Sequence, residues 1–172
     1  MNEEINLFPI FHVAVPLIIF ELPLIKKKYK FNRFALIIGS LLPDIIDKFL
    51  LFLKLGSGRG ISHTILFVLI SSIILHFITK GRKAISLPFF VGMVIHLILD
   101  LPEVPLFYPF IMYDFIIIDD PIGLWLYSLF NNPIVYLTEI TGVLIFIFIL
   151  INNKLYNIKE IVNYLKNNDL QT

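Results

Sequence analysis

Five long apolar runs, separated by shorter polar stretches, set the pattern of the chain. They lie near residues 5 to 25, 34 to 54, 61 to 79, 85 to 101 and 133 to 152. Roughly 20 apolar residues cross the hydrocarbon core of a bilayer as a helix, and each run reaches or approaches that length. The pattern therefore predicts an all-α, polytopic membrane bundle of about five transmembrane helices.

Two further segments do not follow this pattern. The stretch 102 to 132 is rich in proline and aromatic residues, and we expect either a lid or interfacial helix on the outer face or a loop resting at the interface. After residue 153, apolar residues recur at helical spacing: Leu155, Ile158, Val162 and Leu165. We therefore divide the chain into a transmembrane bundle, 1–153, and a cytoplasmic amphipathic tail, 154–172.

Composition supports a membrane protein and excludes several other classes. Of the 172 residues, 58% are hydrophobic, and the mean hydropathy is +0.86. The net charge of +1 provides no basic field for nucleic acid, so we expect membrane lipid, not nucleic acid, as the partner. Cysteine is absent, which excludes disulfides and thiolate chemistry and leaves nitrogen and oxygen as the ligands of any metal.

The charged connections predict the orientation in the cell membrane. Basic residues occupy 26 to 33 and 80 to 83, whereas the N-terminus is acidic and the stretch 102 to 132 contains no Lys or Arg. The positive-inside rule then places the N-terminus outside and the C-terminus inside. The modestly basic loop from Lys54 to Arg59 falls on the outer side and is the one element that disagrees.

The second apolar run carries two carboxylates, Asp44 and Asp47, in the sequence Gly39-Ser40-Leu41-Leu42-Pro43-Asp44-Ile45-Ile46-Asp47. On a helix they are about 60° apart, so both can face one object. Each Asp costs about 2.5 to 3.5 kcal/mol at a membrane helix centre, whereas each Leu, Ile or Phe contributes only about 0.3 to 0.6. Stability does not explain the pair, and we expect a ligand there.

The predicted topology brings seven residues of metal-ligand type, from five helices, to one depth near the outer surface. His96 and Asp100 also share a helix face, because residues four apart differ by about 40°. Taken singly, each residue has a structural alternative, such as a hydrogen-bonded packing histidine. Together they predict a metal site opening to the extracytoplasmic side. The seven are His12, Asp44, Asp47, His63, His96, Asp100 and Glu139.

His76 and Glu21 are assigned to structural roles at the inner end of the bundle. His76 lies about 220° around its helix from His63, and Glu21 can pair with the basic cluster that begins at Lys26. By contrast, the glycine-rich turn 56 to 64 precedes a helix near the predicted site, and Arg59 in it is suited to a phosphate. Its alternative role is a connector whose arginine meets lipid headgroups.

Four stretches, in this order, resemble the motifs of the YdjM-like family of membrane-bound, metal-dependent hydrolases. They are Phe11-His12, Gly39 to Asp44 with Asp47, Gly58 to Thr64, and Gly92 to Asp100. The resemblance covers roughly residues 8 to 101 and extends, more distantly, to zinc-dependent phospholipases C. It implies a set of metal ligands: His12, Asp44, Asp47, His63, His96 and Asp100.

The leading hypothesis is a metal-dependent hydrolase of a lipid or lipid-linked phosphoester. Mixed imidazole and carboxylate ligation favours Zn or Mn. Asp47 or Glu139 would act as general base, and Arg59 would hold the phosphate. One alternative is a non-enzymatic membrane protein with a structural metal site or a buried polar network. A cation or proton pathway is disfavoured, because such a pathway needs polar groups across the whole bilayer.

Overall fold

A computed structural model describes residues 8–27, 31–115 and 120–166, and all of its regular structure is helical, as predicted. Eight α-helices and one 3₁₀ turn, Ile61–His63, follow one another in these residues. The helices are α1 (Pro9–Glu21), α2 (Pro23–Lys26), α3 (Arg33–Phe52), α4 (Ile65–Ile78), α5 (Lys83–Leu99), α6 (Pro121–Asn131), α7 (Pro133–Asn152) and α8 (Ile158–Lys166).

Each of the five apolar runs contains one principal helix, but two runs are interrupted. The first run breaks at Leu22, whose extended ψ of 133° separates α1 from α2. Pro23 causes this break because proline lacks an N–H donor and disfavours the helical conformation in the residue before it. In the third run, the 3₁₀ turn precedes α4, and Thr64 caps that helix by accepting a hydrogen bond from the Phe67 N–H.

One helix of the described residues, α7, is both long and apolar enough to cross a membrane. The helices α1, α4 and α5 are apolar but shorter, between 10 and 17 residues. Helix α3 has 20 residues but includes four charged side chains: Arg33, Asp44, Asp47 and Lys48. These charged side chains, which include the two carboxylates of the predicted site, distinguish α3 from an ordinary apolar span.

Helix α3 lies at the centre of the bundle and packs against α1, α5 and α8, while α4 packs on α5 and α7 on α1. Two glycines let α3 and α5 approach closely. A Cβ atom at Gly39 would lie 2.1 Å from the Phe89 carbonyl oxygen, and one at Gly92 would lie 2.4 Å from that of Leu36. Small residues at such crossings are a common means of close helix packing in membranes.

Apolar side chains are distributed on both the inside and the outside of the bundle. One buried cluster joins α1, α3, α7 and α8 around Leu17 and Leu36, and another joins α3, α4 and α5 around Met93. Helix α4 nevertheless leaves most of its large apolar residues exposed, including Leu69, Ile73 and Phe77. Several histidines and carboxylates are instead fully enclosed, so the outer surface is more apolar than parts of the interior.

The segment 102 to 132 is more ordered than a plain loop, because it contains α6. Asp120 caps this helix by accepting a hydrogen bond from the Gly123 N–H. Helix α6 packs on α7, and its Trp125 ring stacks on Phe8 with a centroid distance of 5.1 Å. Asp119, which contributes to the predicted acidity of this stretch, lies outside the described residues.

A buried ionic network around Glu21 lies where α1 ends and α3 begins. Its carboxylate accepts hydrogen bonds from Lys26 at 2.6 Å and from Arg33 at 3.1 Å. Glu21 therefore pairs with Lys26 as predicted, whereas Lys28 and Lys30 lie outside the described residues. Arg33 is only 1% exposed, and it shares this carboxylate with Lys26.

Helix α8 is joined to the same network through Tyr164. The Tyr164 hydroxyl donates to Glu21 at 2.9 Å, and its carbonyl oxygen accepts from Arg33 at 3.0 Å. Burial, together with the adjacent Glu21 charge, raises the pKa of Tyr164 well above its usual range. The tail thus forms the amphipathic helix expected from its sequence, and this helix is packed onto the bundle.

Candidate metal centre

The close crossing of α3 and α5, together with the turn before α4, brings four ligand-type residues into one buried cluster. One nitrogen or oxygen from each of Asp44, His63, His96 and Asp100 lies within 4.8 Å of the others. The histidines are fully buried, and Asp44 and Asp100 are 6% and 4% exposed. We call these four residues, with His12 beside them, the outer cluster, after the side of the membrane on which the sequence predicts the site.

Each of the three imidazoles is held by a hydrogen bond from its outward-facing Nδ1. His96 donates to the Ser40 carbonyl oxygen at 2.7 Å, and His12 donates to that of Phe8 at 3.1 Å. The Nδ1 of His63 lies 2.6 Å from Asp47 Oδ2. A carbonyl or carboxylate oxygen accepts the Nδ1 proton, which leaves a lone pair on each inward-facing Nε2.

The inward-facing nitrogens are arranged for a cation. His63 Nε2 and His96 Nε2 are only 3.1 Å apart, and two lone pairs at that distance repel unless a cation or a proton lies between them. His12 Nε2 is buried without a hydrogen-bond partner, 3.2 Å from Asp100 Oδ1. Histidines that bind a metal through one nitrogen and a second-shell oxygen through the other show this arrangement, so the residues fit a metal ion.

The two carboxylates of the outer cluster each have one oxygen toward the imidazoles. Asp100 Oδ2 lies 3.3 Å from His96 Nε2 and 3.4 Å from His63 Nε2. Asp44 Oδ1 lies 3.6 Å from His63 Nε2 and 4.0 Å from that of His96. Imidazole nitrogen and carboxylate oxygen together suit a divalent transition metal.

Asp47, expected among the ligands and as a possible base, occupies a supporting position. Its Oδ2 accepts a hydrogen bond from the Gly60 N–H at 2.6 Å and contacts His63 Nδ1, while its Oδ1 accepts from the Ser62 N–H at 3.4 Å. The turn 60 to 63 therefore lies between Asp47 and the inward-facing nitrogens. Although Asp44 and Asp47 share a helix face, they contact different sides of His63.

Arg59 and Glu139, the other expected catalytic residues, are both engaged at the edge of the outer cluster. Arg59 donates to Asp100 Oδ1 at 3.2 Å and also binds Glu103. Glu139, from α7, accepts a hydrogen bond from the Phe11 N–H at 3.0 Å, in the first turn of α1. His76, assigned to a structural role, instead contacts the Ser86 hydroxyl at 3.0 Å near the other end of α4.

Sequence reasoning missed Lys48 and Trp125. Lys48 Nζ donates to Asp44 Oδ2 at 2.6 Å and lies 4.7 Å from the centre of the Trp125 ring. Its spacing of four residues after Asp44 predicts an ion pair on one helix face, and that signal was available. No sequence pattern predicts the contact with Trp125, because that contact depends on how α6 packs.

Within the part of the chain that the structure describes, carboxylates outnumber cations among the charges in contact around the outer cluster. Four carboxylates, from Asp44, Asp47, Asp100 and Glu103, meet two cations, Lys48 and Arg59. With neutral imidazoles this set retains two negative charges, largely out of water. Because buried uncompensated charge is costly, the set is electrostatically matched to one divalent cation.

Two cavities lie on either side of the glycine-rich turn. One, of about 230 Å³, is lined in part by Arg59, Glu103 and Asp114. The other, of about 300 Å³, is bordered by Asp47 and by apolar and aromatic residues such as Tyr108. A polar and a more apolar space therefore adjoin the residues that support the outer cluster.

Comparison with known proteins gives a family. The family model described as YdjM inner membrane protein matches residues 9–160, which is most of the chain. The comparisons with curated proteins and with solved structures found no match. The matched range includes every residue of the outer cluster.

Proposed function

Because the chain belongs to the YdjM inner membrane protein family, we propose that it is a membrane-embedded, metal-dependent hydrolase of a lipid or lipid-linked phosphoester. The observation that carries the proposal is that three buried imidazole Nε2 atoms converge on two carboxylates. The Nδ1 atom of each imidazole is held by a hydrogen bond to an oxygen on the opposite side of the ring. A location in the cell membrane follows from the family.

The arrangement in the membrane is part of this proposal. We place five spans in it, with α1, α3, α4, α5 and α7 as their helical cores and the N-terminus outside. The exposed apolar faces of α4 and α7 support it, since a lipid environment would cover them. The outer cluster then faces the extracytoplasmic side, and α8 lies at the cytoplasmic surface as the amphipathic tail.

The proposed ligands are drawn from the outer cluster: His12, Asp44, His63, His96 and Asp100. Asp47 is proposed to orient His63 instead of binding the metal, because its two oxygens already accept hydrogen bonds. Zn or Mn suits this mixture of nitrogen and oxygen donors best. When bound, such an ion would acidify a water molecule and polarise a phosphoryl oxygen.

The remaining residues are proposed to hold the substrate and move protons. Arg59 would exchange part of its contact with Glu103 for a phosphoryl oxygen, since its planar guanidinium presents several donors at once. Glu139 is the better of the two expected bases, because Asp47 is occupied on both oxygens. A lipid is the favoured substrate, because a site at headgroup depth would meet its phosphate directly.

An assay of phosphoester hydrolysis tests the proposal. Detergent-purified protein, stripped of metal and reloaded with Zn or Mn, is offered phosphatidic acid, a phosphatidylglycerol and a polyprenyl diphosphate, and released phosphate or headgroup is measured. We expect metal-dependent release by the wild type and by His76→Ala, a control outside the outer cluster, but not by His96→Ala. Equal release by wild type and His96→Ala would contradict the proposal and favour a structural polar network.

A further inference from the structure

Lys48 is placed where it would meet a ligand of the outer cluster. It follows Asp44 by one turn of α3, its Nζ lies 2.6 Å from Asp44 Oδ2, and its side chain is only 17% exposed. The other oxygen of Asp44 faces His63 and His96. The Asp44 carboxylate therefore lies between the ammonium group and the proposed metal position.

Asp44 and Asp100 divide their oxygens in the same way. Each has one oxygen toward the imidazoles and the other on a cation: Lys48 for Asp44, and Arg59 for Asp100. Two positive groups thus flank the outer cluster, one behind each carboxylate. An anion bound at the cluster between them would meet positive charge on both sides.

The surroundings of Lys48 leave it donors for such an anion. Within residues 8–27, 31–115 and 120–166, the hydrogen bond of Lys48 is to Asp44, whereas an ammonium group carries three donors. On its far side lies the face of Trp125, 4.7 Å away, which attracts a cation without accepting a conventional hydrogen bond. Phe8 stacks on that ring and fixes it.

We infer that Lys48 is a second anion-binding residue of the site, which together with Arg59 holds the phosphoryl group of the substrate. This inference rests on the proposed function, because the phosphoryl group is the ligand that a metal-dependent phosphoester hydrolase would bind there. Trp125 and Phe8 orient the ammonium group, which gives the segment 102 to 132 a part in substrate binding.

Phosphate binding to the cobalt-loaded, full-length protein in detergent tests the inference without any activity assay. The visible absorption of cobalt(II) reports on its ligands, so titration with cobalt and then with inorganic phosphate measures both affinities. The variants are Lys48→Met, which removes the charge, and Lys48→Gln, which retains a donor for Asp44. Lys48→Arg restores the charge, and Lys54→Met is the control at an exposed lysine.

We expect Lys48→Met and Lys48→Gln to weaken phosphate binding about tenfold or more, as the loss of a charge-assisted hydrogen bond would, while cobalt affinity stays near that of wild type. Lys48→Arg and Lys54→Met should bind phosphate as wild type does. Unchanged phosphate affinity in both neutral variants, joint loss of cobalt and phosphate, or no phosphate binding by the cobalt-loaded wild type would overturn the inference. A wild type that binds no cobalt would overturn the proposed function as well.

A second arm distinguishes a lipid phosphate from a soluble one. Cobalt-loaded protein is reconstituted in phosphatidylcholine vesicles with and without phosphatidic acid, in the absence of free phosphate. A Lys48-dependent spectral change with phosphatidic acid would identify a lipid phosphate as the ligand. A response to inorganic phosphate alone would assign the same residues to a soluble phosphoester.

Discussion

At the scale of single residues, the atoms behind each histidine determine what its inward-facing nitrogen can do. Ser40, Phe8 and Asp47 each accept from an Nδ1, and each thereby directs an Nε2 lone pair into the outer cluster. Asp47 differs from the two carbonyl oxygens because its full charge also raises the basicity of the imidazole. The Asp47 oxygen also belongs to a side chain, whereas the other two acceptors are backbone carbonyls. A substitution can therefore remove this hydrogen bond directly.

We predict that Asp47→Asn lowers the affinity for Zn or Mn by about 10 to 100-fold without unfolding the protein, as expected when a second-shell carboxylate is neutralised. A chelator competition titration measures the change. Asp114→Asn, at an exposed acid, is the matched control and should bind as wild type does. An Asp47→Asn protein that retains full metal affinity would show that this carboxylate does not support the site.

The sequence predicts the members of the outer cluster more successfully than it predicts the role of each member. The depth predicted for each residue in the membrane groups His12, Asp44, His63, His96 and Asp100, and the structure places these side chains near one another. The position of Asp47 behind His63 depends on the path of the turn 60 to 63, which helix periodicity does not encode. Helix spacing predicts the pairing of Lys48 with Asp44, but the position of Lys48 against Trp125 depends on the packing of α6.

At the scale of helices, two local features set the geometry of the site. Gly39 and Gly92 allow α3 and α5 to approach until His96 reaches the Ser40 carbonyl oxygen. Pro23 divides the first apolar run, so that α1 ends at Glu21 and the chain turns toward the inner network. The apolar pattern predicts that a helix lies in each run, but tertiary contacts decide how closely the helices cross.

Helix α8 shows what tertiary contacts add to an amphipathic pattern. Its spacing predicts a surface helix, but Ile158 and Val162 of the predicted apolar positions are exposed, and Ile161, Tyr164 and Leu165 form the packed face. The helix is also attached through polar contacts. Tyr164 contacts Glu21 and Arg33, which precede it in the sequence by more than 130 residues. No local pattern indicates such a pairing.

We predict that Tyr164→Phe destabilises the protein by about 1 to 2 kcal/mol, because Glu21 loses a buried hydrogen bond while the aromatic ring over Arg33 is retained. Denaturation in mixed micelles measures the change. Tyr156→Phe removes a hydroxyl from a residue that is 74% exposed and should have almost no effect. Equal stability of the two variants would mean that the Tyr164 hydroxyl does not anchor α8.

At the scale of the whole molecule, two buried polar groups occupy opposite ends of the same helices. The network around Glu21 lies at the end of α1 and the start of α3, whereas His12 lies near the start of α1 and Asp44 lies past the middle of α3. In the group around Glu21, one carboxylate pairs with two cations, Lys26 and Arg33. Among the described residues, the outer cluster and the carboxylates beside it carry more negative than positive groups, and His12 Nε2 has no hydrogen-bond partner, so we assign ligand binding to this end of the helices.

Elemental mass spectrometry of the purified protein determines whether the outer cluster binds a divalent metal ion. Wild type is compared with Asp44→Ala and His96→Ala, with His76→Ala as the histidine control. We predict near-stoichiometric Zn or Mn in wild type and His76→Ala, and its loss from the other two variants while they remain folded. A wild type without metal even after reconstitution, or unchanged metal in Asp44→Ala and His96→Ala, would contradict the account.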